Sequence, residues 1–232
     1  MLASLPIASP LLFWGFVGLS IIVAGGVVVA IGRTSGKVAG KRAAIVALFW
    51  LGSTGYLGAS GHLDAWEPPR VGFLFVAGLG FLAWAARQTW TERLGDLPLK
   101  LLVGFQAFRI IVELLLHTAV NEGVANPTMT WTGTNLDIIP GVTALLLLPF
   151  VDRLDRRVLQ GWNLVMAGVL VVTVATGMMA APSPFRQFMA DPPNVFIAGF
   201  PFVWLPAILV TTAWLGHIVL FRRLRRAPAA AE

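Results

Sequence analysis

Apolar runs of about twenty residues recur along the chain, each closed off by a short block of Lys and Arg. Crossing ~30 Å of hydrocarbon takes about 17–25 helical residues, and runs near that length lie at 11–32, 43–61, 71–87, 100–120, 136–151, 159–180 and 195–221. An open sheet edge cannot satisfy its backbone groups in lipid, so the runs are read as helices. The pattern predicts an all-α fold: a polytopic membrane protein, a seven-transmembrane-helix bundle forming one domain over residues 1–232. Composition agrees. Only 12% of the residues are charged, where a soluble domain carries about a quarter, too few to make a water-facing surface. The first stretch, MLASLPIASPLLFWGFVGLSII, has no positive leading block and reads as a first span rather than a secretory leader.

The net charge of +6 and pI near 11 could point to nucleic acid, but the positions of the basic residues exclude that reading. Arg33, Lys37, Lys41 and Arg42 follow the first span, and Arg87, Arg93 and Lys100 follow the third. Arg153, Arg156 and Arg157 follow the fifth, and Arg222, Arg223, Arg225 and Arg226 the seventh. These alternate connections hold 14 of the 17 basic residues, whereas the opposite side has only Arg70 and Arg186. Under the positive-inside rule the N-terminus is outside and the C-terminus inside. The expected partner is the lipid bilayer. With no cysteine there is no disulfide, thiolate site or Cys nucleophile.

Two spans look irregular. The fifth is short and carries Pro140, Gly141 and Pro149, and the seventh carries Pro201 and Pro206. Proline removes a backbone donor and bends a helix, and interrupted spans are either ordinary kinks or pointers to a site. Trp66, Trp131 and Trp204 fit an outer aromatic belt; Trp50, Trp84, Trp90, Trp162 and Trp214 fit inner or interior positions.

The fourth span contains FQAFRIIVELLLH and places Gln106, Arg109, Glu113, His117 and Asn121 at helical spacing. At 100° per residue they fall within an arc of roughly 120°, spread over ~22 Å of axis. One face is therefore polar and must look into the bundle or a wet cavity. A central Arg or Glu is unfavourable in lipid by about 2.5–3.5 kcal/mol, which Arg109 and Glu113 can partly offset as an i, i+4 pair. They are expected to pair with each other or with polar groups on spans two, five or seven. His117 could carry protons near neutral pH. The stripe runs into NEGVANPTMTWTGTNLD, a connection without basic residues, which either lies exposed or dips inward as a re-entrant lid.

These features predict an outward-facing pocket lined by Glu113, His117, Asn121 and residues Thr128 to Asp137, including Thr130 and Asn135, with Arg109 as its floor. His62 and Asp64, where span two ends outside, are expected on the opposite wall. His217, by contrast, sits one turn before the inner basic tail and about 20 Å from His117, so the two cannot share a haem. No cofactor or metal is assigned. His62 and His117 could meet at one ion or haem, but no ligand spacing specifies it.

The segments FQAFRIIVELLLH, NPTMTWTGTNLDIIPGVTA and FPFVWLPAILV resemble parts of an uncharacterised family of bacterial multi-span proteins. That resemblance implies a bacterial inner-membrane location and carries no activity. The lysines are Lys37, Lys41 and Lys100, so a retinal Schiff base in span seven is chemically impossible. GRTSGK is one residue short of a phosphate-binding loop. Three readings follow. The chain binds or translocates a small molecule or ion; or it is a non-catalytic subunit or assembly factor with an oligomeric or complex partner, its ion pair structural; or it is an intramembrane enzyme acting on a lipid or prenyl substrate with Glu113, His117 and Asp137.

Overall fold

A computed structural model describes residues 7–64 and 70–226; Trp66, assigned above to the outer belt, lies outside them. The described chain is helical, with no strand among the described residues. Large apolar side chains lie on its outer surface as well as in its core. Phe49 and Phe73 are 73% and 64% exposed, while Arg109 is 1% exposed. Large apolar residues outside and ions inside suit a hydrocarbon solvent. Three helices are long and apolar enough to cross a membrane: Pro10–Ser35, Arg156–Ala180 and Leu205–Arg225. The chain is a membrane protein.

Helix α1 (Pro10–Ser35) starts where the Ser9 hydroxyl accepts from the Leu12 amide, with Pro10 in the first turn, where its missing N–H costs nothing. Ser9 is itself held by Glu122, which accepts from its amide at 2.9 Å and its hydroxyl at 2.5 Å. This contact joins the start of α1 to the end of α6 (Phe108–Asn121).

The expected loop 33–42 is not a loop. Gly36 alone separates α1 from α2 (Lys37–Ala59). Its φ of 91° lies where side chains other than glycine's are strained, so one residue reverses the chain. Arg33, Lys37, Lys41 and Arg42 therefore ride on helix ends.

Helix α3 (Arg70–Ala85) is followed by the short α4 (Thr89–Leu94). Helix α5 (Leu99–Gly104), a 3-10 turn at Phe105–Ala107 and α6 then form one helical run over the fourth expected span.

The fifth and seventh expected spans are shorter as helices than their apolar runs. Helix α7 covers only Ile138–Leu147, and residues 148–153 are turns. Ten residues rise about 15 Å, half a bilayer core. Helix α8 (Arg156–Ala180) is capped by Asp155, whose carboxylate accepts from the Arg157 amide at 2.6 Å. The run from 195 does not become a continuous helix until Leu205, where a π-helical segment, Leu205–Val210, leads into α9 (Thr211–Arg225). Pro201 and Pro206 account for both features: proline lacks the donor that an α-turn needs and its ring displaces the preceding carbonyl.

The two segments without α-helix, 122–137 and 181–203, pack on one another. Asn126 donates to the carbonyls of Ala190 at 2.7 Å and Pro192 at 2.9 Å. Val124, Ala125, Asn126, Met129 and Thr130 are all buried. The connection read as either exposed or re-entrant is thus partly enclosed: residues 124–126, 129 and 130 are buried, while Pro127 and residues 132–134 are exposed.

Candidate functional site

Two glycines bring three segments together. A Cβ on Gly141 would lie 3.0 Å from the backbone nitrogen of Ile110, so α7 sits directly on the start of α6. A Cβ on Gly216 would lie 2.8 Å from the Gln106 amide nitrogen, so α9 approaches the same turn. Asp137 and His217, each beside one of these contacts, can then reach Arg109.

The partner of Arg109 is Asp137, not Glu113. Its Nε donates to Asp137 Oδ2 at 3.0 Å and its Nη2 to Oδ1, a bidentate pair. A guanidinium matches two carboxylate oxygens in a plane, a fit that the i+4 carboxylate on the same helix lacks. Arg109 Nη1 lies 3.2 Å from His217 Nε2. A guanidinium has no acceptor, so Nε2 must offer its lone pair and the ring proton resides on Nδ1. Nδ1–H donates to Asn163 Oδ1 at 2.8 Å, and Asn163 Nδ2 donates to the His217 carbonyl at 3.1 Å. Every donor and acceptor in this arm is consistent with one tautomer.

A second arm runs through Asn135. Its Nδ2 donates to Glu113 Oε2 and to the Met129 carbonyl, both at 2.9 Å. Its Oδ1 accepts from the Asp137 amide and the Thr173 hydroxyl, also at 2.9 Å. One side chain thus holds the loop, α6 and α8 together and orients the Asp137 backbone. Glu113 Oε1 is buried without a partner. Gln106 is buried beside this network but separate, donating to the Ala213 carbonyl at 3.3 Å.

The structure therefore gathers Arg109, Glu113, Asn135 and Asp137. His117 stacks on Trp131 with ring centroids 4.3 Å apart, and the Thr130 hydroxyl stands 3.5 Å from its Nδ1. Asn121 is exposed. His62 bonds Ser60 at 2.6 Å and lies against Tyr56, while Asp64 is exposed at the end of that turn. Among the described residues no three His, Asp or Glu side chains group as for a metal ion.

The cavity beside the network differs from the one expected. It measures about 380 Å³ and has Arg109, Asp137, Thr173, Ser183 and Asn194 on mostly apolar walls from α3, α6, α8 and the π-helical segment. Glu113, His117, Asn121, His62 and Asp64 do not line it. Against Glu113 and His117 stand Asn135, 2.9 Å from the carboxylate, and the Trp131 ring, 4.3 Å from the imidazole. Helix α3 packs on α9 and the π-helical segment and makes no comparable packing with α8. The cavity thus opens sideways between α3 and α8, past exposed Phe73, Val76 and Met178.

Three contributors were missed by reading the sequence. His217 was considered only as a haem partner of His117 and not named among the site residues, although it lies on the seventh span, one of those expected to supply a partner for Arg109. Asn163 and Asn194 carried a usable signal, being amides in or beside apolar runs. Asn194 donates to the Gly177 carbonyl at 2.8 Å, which fixes its orientation and leaves its buried Oδ1 without a partner on the cavity wall. No protein-family model, curated protein or solved structure matches the chain.

Proposed function

We propose that this protein binds a membrane-dissolved small molecule that enters sideways between α3 and α8 and sets a polar head against Arg109, Asp137 and Asn194. The observation that carries this reading is the lateral, apolar cavity of about 380 Å³ with the ion pair on its wall. Its volume lies within the roughly 300–1,000 Å³ of small-molecule sites. Because Asp137 already neutralises Arg109, the site favours a neutral head over an anion. The unpaired Asn194 Oδ1 is an acceptor, so a ligand hydroxyl or amide N–H is the complementary group.

The accompanying topology is a seven-span bundle in a bacterial inner membrane, N-terminus out and C-terminus in, with the loop 122–137 re-entrant. The 14 basic residues on alternate connections support it. Single cysteines at Ser35 and Thr132 test it: on intact cells an impermeant reagent labels the second and spares the first.

A structural-subunit reading is favoured by one observation, the full pairing of Arg109 inside the protein. Extraction of the purified chain separates the two. Wild type retains an apolar hydroxyl- or amide-bearing compound detectable by mass spectrometry, and Val174→Trp, which fills the cavity, loses it while keeping its unfolding temperature. Equal yields from both proteins would leave the subunit reading.

A further inference from the structure

Helix α2 lies along α1, and α3 lies on α9 and the π-helical segment, but α2 and α3 do not pack on each other to a comparable degree. Between them is a larger cavity, about 730 Å³. Its long walls are apolar, with Val46 and Phe49 from α2 and Phe81 from α3, and all three are exposed. One end is different. Arg42 near the start of α2 and Arg93 on α4 both line it, as do Trp84 and Trp90, whose rings are 6.3 Å apart.

Neither arginine has a side-chain hydrogen bond or ion pair among the described residues. The acids that could serve them are engaged: Glu92 is held by Arg222 at 2.9 Å and Asp96 by Arg226 at 2.5 Å. Two unpaired cations at the mouth of one apolar slot call for an anion from outside the chain, with an apolar body behind it. Tryptophans at that level match the headgroup region, where an amphipathic ring is favoured.

We propose that this cavity is a binding site for an anionic phospholipid of the leaflet that the basic helix ends face, its phosphate between Arg42 and Arg93 and an acyl chain along Val46, Phe49 and Phe81. A free phosphate would leave the apolar slot unused. A second copy of the chain brings little complementary charge, because Glu92, Asp96 and Asp152 at this end are already paired and Asp155 caps α8.

The test is native mass spectrometry of the full chain, delipidated in a neutral detergent and titrated with phosphatidylglycerol or phosphatidylcholine. Wild type is expected to prefer phosphatidylglycerol by about tenfold, on the order of one well-placed charge contact. Arg42→Gln with Arg93→Gln abolishes the preference, and Arg33→Gln with Arg223→Gln, basic residues outside the cavity, leaves it intact. Ala47→Trp, which fills the slot, lowers retention of both lipids with the circular dichroism unchanged. The proposal is overturned if the Arg42/Arg93 double variant keeps its preference, if millimolar inorganic phosphate displaces the lipid, or if the cavity is closed by a dimer that retains no lipid.

Discussion

Arg109 and the pair Arg42 and Arg93 are the same chemical group in opposite settings. Arg109 is buried in the bundle with a bidentate carboxylate and an imidazole. Arg42 and Arg93 stand exposed at the mouth of a slot with no protein partner among the described residues. The first has exchanged hydration for fixed ligands and is intolerant of losing any. The others keep their hydration and can exchange it for something that arrives. The difference teaches that charge in a membrane protein is read from its partners rather than from its presence.

Breaking the buried side should have the largest effect. Asp137→Ala leaves a buried guanidinium with only an imidazole, and removal of one partner from a buried pair costs about 3–5 kcal/mol. Unfolding in detergent should show that loss. The double change Arg109→Met with Asp137→Leu should recover most of it, and a double variant as unstable as the single would mean that Arg109 is not governed by this pair. A smaller loss is expected at the second ring of contacts. Asn163→Leu deprives His217 Nδ1–H of its acceptor, at about 1–3 kcal/mol. It should also release the imidazole from one tautomer, visible in the ring nitrogen shifts. The smallest effect belongs to the exposed side. Arg42→Ala or Arg93→Ala should change stability by less than about 0.5 kcal/mol in lipid-free detergent, which would confirm that these groups are not part of the fold's own accounting.

Much of this was legible in the sequence, for reasons that differ by element. The apolar runs marked α1, α3 and α8 to within a few residues because hydrocarbon length is a strong constraint. The spacing of Arg109 and Glu113 marked an interior face because helical periodicity leaves no other place for charge. Asp137 and Asn135 were named as site residues, but their roles were not legible: partner choice depends on how closely two backbones approach, and that is decided by Gly141 and Gly216. Helix boundaries failed where proline intervened, at 195–204, and where Gly36 turned an expected loop into a one-residue reversal. His62 and Asp64 were grouped with the site on depth alone, and neither lines the cavity beside Arg109, because depth does not fix azimuth around a bundle.

The order of partners along the chain bears on how the protein is made. Asp137 follows Arg109 by 28 residues and His217 follows it by 108. At roughly 5–20 residues per second, the carboxylate emerges about 1–6 seconds after the guanidinium and the imidazole about 5–20 seconds after. The segment bearing Arg109 is thus synthesised before either of its ligands exists. Its charge acquires a carboxylate partner within the chain only once Asp137, at the start of α7, has followed it. A ribosome pause or truncation between Asn121 and Asp137 would then prolong the interval in which the guanidinium has neither its carboxylate nor its imidazole, which makes this stretch the vulnerable one during synthesis.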